Sequence, residues 1–266
     1  MPRDFTINTG PLSQRLAVGL FCALLSTPLL AADRLTLCFE NKTVAPWRNL
    51  DQTGLNFELL RRVEQKLNLK FDYQLLPWKR CLAKLRANQV DGAFTVSFSD
   101  ERRDFGAFPG NEKADVKKRM HFARYFLVRK KGSTVGWDGR QFQQLQGKIA
   151  FQLGYSVGDL LRELKVPVDE AADSPHSVGR KVIAGRVAGA AMMDSDTSVI
   201  MRGPLAPKLE VVETPLIEKP YYLMLSHALV KARPELAEQI WKQVEEVRNS
   251  KEYGKMIQAA GAENAR

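Results

Sequence analysis

The chain has 266 residues, 44% hydrophobic and 26% charged, with 18 glycines and 13 prolines. Those proportions exclude a disordered or low-complexity protein and suit one large domain or two lobes of about 100–150 residues. The net charge of +10 raises nucleic acid or an anionic surface as partners. However, Lys and Arg are spread along the whole chain, and the densest patch (Lys117 to Arg119, then Arg124 and Arg129 to Lys131) reads as a solvated face, so no nucleic-acid partner is expected.

The N-terminus has its own pattern. Arg3 and Arg15 precede an apolar run from Leu16 to Leu25, Pro28 breaks it, and Ala31-Ala32 stand before the polar Asp33-Arg34. A basic start, a short apolar stretch and small residues at the cut describe a secretory signal peptide over residues 1–32. The run is too short for a membrane anchor, which needs about 20 apolar residues. Cys22 follows Phe21 inside the apolar stretch, which disfavours a lipoprotein. The mature protein is therefore expected in the periplasm, soluble and monomeric.

From Leu35 to Phe39 apolar and polar residues alternate, the period of a strand. Leu55, Leu59, Leu60, Val63 and Leu67 then recur at helical spacing. A second alternating strand runs from Leu69 to Leu75. A short helix carries Trp78, Cys81, Leu82 and Leu85 on its apolar side, where Trp78 is expected in the core. Gly92 to Val96 forms a third strand. This alternation implies a parallel sheet with right-handed crossovers.

The plan restarts at residues 147–152, with a strand ending at Gly154 and a helix through Leu160, Leu161 and Leu164. A short strand at 166–168, a helix through Val178, Val182 and Ile183, and a buried strand over 188–193 complete a second α/β unit. The last third returns to the first unit, with a strand from Pro220 to Leu225 and a helix from Pro234. The chain thus crosses between two lobes near residues 128–132 and 214–220. The lobes are residues 33–128 with 216–266, and residues 129–215. Two crossings form a hinge, with a cleft opposite it.

Export gives the cysteines meaning. Cys38 and Cys81 remain as an even pair in an oxidising compartment, where a disulfide is favoured over two buried thiols. The three histidines, at 121, 176 and 227, show no metal-ligand spacing, and no metal or cofactor is expected. The chain also lacks the G-x-S-x-G, H-E-x-x-H, P-loop and G-x-G-x-x-G patterns, which argues against an enzyme.

Ligands of such folds sit beyond the carboxyl ends of the strands. Four segments end there: Glu40 to Trp47, Ser97 to Arg103, Gly154 to Ser156, and Asp194 to Thr197. They offer an aromatic wall, guanidinium groups, hydroxyls with free amides, and carboxylates. A guanidinium fork beside helix N-termini suits a carboxylate, and a carboxylate across the cleft suits an ammonium group. The bland alternatives are a surface ion pair for Arg102 with Asp100 or Asp104, core packing for Trp47, and helix capping for Ser156.

These segments resemble the family-3 extracellular solute-binding proteins, the periplasmic receptors of polar amino-acid ABC transporters. Pro46-Trp47, the glycine-led helix from Gly54, Asp91-Gly92, the loop Ser97-Phe98-Ser99-Asp100-Glu101-Arg102 and the turn Gln152-Leu153-Gly154-Tyr155-Ser156 carry the resemblance. It implies a two-lobed, type II periplasmic-binding-protein fold, an amino acid or related carboxylate as ligand, and an ABC permease as partner. It also implies that Arg102 and Ser97 hold the ligand carboxylate, that the Gly154–Ser156 turn donates amides to it, and that Asp194 meets the ammonium. Glu40 and Trp47 complete the expected site. The chain departs from the family pattern at Asn56, at Tyr155 and in the long segment from Asp104 to Arg119. Two other readings share the fold: a soluble sensory or partner-binding protein, and a dehydratase-like enzyme of the cyclohexadienyl type using a cleft carboxylate such as Glu40 or Asp194.

Overall fold

The computed structural model describes residues 1–4, 32–110, 113–172 and 174–262. The signal-peptide reading, with Cys22, concerns residues 5–31 and lies outside the described residues. Ala32–Arg266 forms one compact unit, and the fold below is that unit's.

The first half is built from β1 (Asp33–Glu40), α1 (Leu55–Leu67), β2 (Leu69–Leu76), α2 (Trp78–Arg86) and β3 (Gly92–Ser97). Strand β1 lies between β2 and β3, parallel to both. Both of its faces are therefore covered, and Leu37, Cys38 and Phe39 are all buried. Helix α1 turns Leu55, Leu59, Leu60 and Val63 inward, the stripe its spacing foretells. Its first amides, those of Leu55 and Asn56, donate to the carbonyls of Pro46 and Trp47. Orphan helix donors are thereby satisfied, and the Trp47 loop is tied to the helix start.

The chain then enters β4 (His121–Lys130), followed by the small hairpin of β5 (Gly136–Trp137) and β6 (Phe142–Gln143). The second half follows with β7 (Ile149–Gln152), α3 (Val157–Glu163), β8 (Val168–Ala172), α4 (Pro175–Ile183), β9 (Gly189–Met193) and α5 (Asp194–Met201). Strands β7, β8 and β9 are parallel. The strand expected at 166–168 begins only at Val168, because Pro167 has no amide to donate and serves as an acceptor for Ile149 before pairing starts.

Strand β10 (Leu209–Val211) pairs with β4, and β11 (Ile217–Leu225) leads to α6 (His227–Ala232), α7 (Pro234–Asn249) and α8 (Lys251–Ala259). The main sheet runs β2-β1-β3-β11-β4-β9-β7-β8. Its two antiparallel strands, β11 and β4, join the halves. Strand β4 pairs with β11 as far as Tyr125 and with β9 from Tyr125 onward. The result is a mixed α/β, two-lobed architecture around one curled sheet. Among the described residues no helix is long and apolar enough to cross a membrane.

Candidate functional site

The carboxyl ends of β1, β3, β7 and β9 converge with the facing strands β4 and β11 on a small cavity of about 30 Å³. The first half supplies Glu40, Trp47, Arg48, Trp78, Thr95, Ser97 and Arg102 to its walls. The second half supplies Tyr155, Ser156, Met193 and Asp194, while His121, Tyr125 and Tyr221 come from the joining strands. A wider outer pocket of about 580 Å³ shares Arg102, Tyr155 and Ser156 with it. Arg102 thus lines both the small cavity and the wider pocket.

Arg102 is 6% exposed, which disposes of the surface ion pair with Asp100 or Asp104. One guanidinium nitrogen donates to the Ser97 carbonyl at 2.9 Å and to the Ser97 hydroxyl at 2.6 Å. The other reaches across to the Gly154 carbonyl at 2.9 Å, and the group lies 5.7 Å from the Trp78 ring centre. Every one of these partners is neutral. A buried cation held only by neutral oxygens keeps its charge available for an anion.

Ser97 and Ser156 meet hydroxyl to hydroxyl at 2.6 Å. Ser156 precedes α3 but its side chain makes no capping bond there, so the capping alternative does not hold. Gly154 corrects the expectation that its amide faces the ligand. That N–H donates to Glu170 Oε1 at 2.9 Å, because the turn's φ of 78° directs the amide toward β8 and the carbonyl toward Arg102.

Beside Arg102 lies a second polar group. Arg48, 3% exposed, pairs with Glu40 at 2.7 Å and donates to Thr95 Oγ1. Thr95 sits at φ 61° inside β3, a left-handed conformation that a β-branched residue rarely adopts and that clusters at binding sites. Lys42 reaches into the other half, donating to Gln152 Oε1 and to the Tyr155 hydroxyl at 3.2 Å, and lying 3.6 Å from Asp196. Gln152 Nε2 in turn donates to Asp196. The Tyr155 hydroxyl is also 3.1 Å from Glu40. Burial, reinforced by Glu40, pushes the Tyr155 phenol well above its ordinary range, so it remains a donor.

The aromatic wall is layered. Trp47 stacks on His121 at 4.1 Å and 11°, and His121 on Tyr221 at 5.3 Å and 14°. One face of Trp47 is therefore taken by a protein ring. Burial, with Arg48 nearby, lowers the His121 imidazole to about 3, and it is neutral. Trp78, expected in the core, has both roles: as the first residue of α2 it joins the hydrophobic core and also lines the cavity.

Asp194 opens α5 and accepts the Ser195 amide at 2.8 Å and the Arg124 amide at 3.3 Å. Burial raises its carboxyl above the ordinary 3.8. Arg48, Thr95, His121 and Tyr125 were not expected at the site from sequence, and Lys42 and Asp196 only as members of the segments from Glu40 to Trp47 and from Asp194 to Thr197. Among the described residues no group of three or more His, Cys, Asp or Glu side chains converges to hold a metal.

The sulfurs of Cys38 and Cys81 are bonded, so the expected disulfide is present and pins α2 to β1.

The profile of the bacterial extracellular solute-binding proteins, family 3, matches residues 41–261; the chain belongs to this family. No curated protein sequence matches it. Solved structures similar in fold include a histidine kinase sensor domain with similarity to periplasmic binding proteins, at 16% identity and TM-score 0.69, covering 86% of this chain and 96% of the other. The GluR0 ligand-binding core from Nostoc punctiforme with L-glutamate matches at 13% identity and TM-score 0.65, covering 86% and 99%. An amino acid ABC transporter substrate-binding protein from Streptococcus pneumoniae bound to L-arginine matches at 18% identity and TM-score 0.62, covering 85% and 94%. At these identities the likeness shows a shared two-lobed fold.

Proposed function

We propose that this chain is an exported periplasmic receptor whose lobes close on a small ligand of the amino-acid class, without chemistry, and present it to an ABC permease. The observation that carries this reading is Arg102: a buried guanidinium at the cleft whose hydrogen bonds all go to neutral oxygens. It anchors the ligand carboxylate with the Ser97 and Ser156 hydroxyls, and Asp194 across the cleft meets the ammonium. The lobes are residues 33–128 with 216–266, and 129–215, hinged where β4 and β11 pass between them. A cavity of about 30 Å³ has room for about one or two waters, so loading requires the lobes to separate and the outer pocket marks the route in. Neighbours described as amino acid ABC transporter substrate-binding proteins support transport as the role.

The test is thermal unfolding of the mature, oxidised protein against amino acids, small carboxylates, amines and sugars. A ligand at about 100 times its dissociation constant adds roughly 2.7 kcal/mol, a melting shift of about 5–10 °C at this size. A shift confined to amino acids or related carboxylates is expected. A shift with sugars or amines alone, or with nothing, overturns the reading.

A further inference from the structure

We infer that the cleft selects an amino acid whose side chain is uncharged and ends in a hydrogen-bonding group, with the His121 imidazole as that group's partner. The inference rests on the roles proposed above for Arg102 and Asp194 and adds what lies at the other end of the ligand.

The first argument is the charge balance of the walls. Glu40 is held by Arg48 at 2.7 Å and by the Tyr155 hydroxyl. Asp196 is held by Gln152 and by Lys42. With Arg102 and Asp194 committed to the ligand's α-carboxylate and α-ammonium, the other charges lining the cavity, Glu40 and Arg48, pair with each other, as do Lys42 and Asp196 beside it, and Lys219 is engaged by the Ser156 carbonyl. A guanidinium or second ammonium on the ligand meets Arg48 and Lys42 with no acid left to receive it. A second carboxylate meets cations that are already engaged. Either charge would be buried without a partner, which strongly disfavours it.

The second argument is His121 itself. The residue is 2% exposed and lines the cavity, yet its Nδ1 has no hydrogen-bond partner. Buried polar atoms are nearly always paired, and exceptions concentrate at sites of function. Trp47 and Tyr221 clamp the ring on both faces, so its hydrogen-bonding direction is set before the ligand arrives. A neutral imidazole donates or accepts according to tautomer, which suits a hydroxyl or carboxamide.

Calorimetric titration of the wild type and His121→Phe with serine, asparagine, glutamine, alanine, arginine, lysine and glutamate tests this. His121→Phe keeps a flat ring in the stack and removes the nitrogens. Wild type should favour an uncharged polar side chain at least tenfold over arginine, lysine and glutamate. His121→Phe should weaken that ligand about tenfold and leave alanine unchanged. Arg48→Gln, which releases Glu40, should gain affinity for arginine. Wild-type preference for a charged side chain, an unaffected His121→Phe, or no gain in Arg48→Gln overturns the inference while the receptor reading stands. Binding of none of these or of other carboxylates removes the receptor reading as well.

Discussion

Asp194 sits half-buried at the first turn of α5, its charge met by two backbone amides and, more weakly, by the Arg124 guanidinium. Its raised pKa means that the native state holds the proton more tightly than the unfolded chain does. Stability therefore falls as pH rises from about 3.8 to the raised value, and stays lowered above it. Asp194→Asn keeps an oxygen for the Ser195 amide and removes that penalty. It should melt higher than wild type at pH 7, lose the pH dependence of melting across that acidic window, and bind amino acids at least tenfold more weakly. Equal melting at pH 7 would show that Asp194 is not a strained binding group. At this scale the sequence singled out Arg102, Ser97, Ser156 and Asp194, which line one cavity, because the hydroxyl-rich loop and the turn after β7 are contiguous patterns. The parts played by Lys42, Arg48 and His121 were not legible. Their partners, such as Gln152 for Lys42 or the Tyr221 ring for His121, are brought in by folding from distant segments, and no local spacing announces them.

Among the elements, the disulfide has the clearest consequence. Cys38 lies in β1 and Cys81 in α2, 43 residues apart. Closing a loop of that length stabilises the fold by about 4 kcal/mol on the chain-entropy view. Reduction, or Cys38→Ala with Cys81→Ala, should lower the melting temperature by about 8–16 °C. Because Trp78 stands on the same helix and lies over Arg102, ligand affinity should fall as well. Unchanged melting in the reduced protein would contradict this role. The helices with strong apolar stripes, such as α1 and α7, and the continuous apolar β3 and β9 were readable from period alone. Strand β4 was missed because Tyr125 to Val128 is a continuous apolar run between basic residues that read as surface charge, and its burial alternates only once it is paired. Helix α6 has only six residues, and α8 offers just Tyr253, Met256 and Ile257 as large apolar side chains.

For the whole molecule, the proposed closure is supported by side chains of the protein itself. Lys42 into Gln152 and Asp196, Ser97 to Ser156, Arg102 to Gly154 and Lys219 to the Ser156 carbonyl all bridge the cleft. A ligand shifts such an equilibrium only by its preference for the closed state. Lys42→Met removes the longest bridge, so X-ray scattering should report a larger radius of gyration without ligand and the wild-type value with it. Equal radii without ligand would show that Lys42 does not help hold the lobes together. The strand–helix alternation that restarts near residue 147 was legible, and so was the strand near Pro220 that pairs with β3. The joining of both halves into one sheet through β4 and β11 was not, since pairing between strands far apart in the chain leaves no local pattern.

The most direct measurement of the central claim is calorimetric titration of wild type and Arg102→Ala with the best-binding amino acid and with the amine that lacks its carboxylate. Wild type should bind the amino acid and not the amine. Arg102→Ala should lose roughly 10- to 100-fold in amino-acid affinity, the range for a charged hydrogen bond, with its melting temperature maintained. Comparable binding of the amine, or full affinity in Arg102→Ala, would contradict a carboxylate held by Arg102.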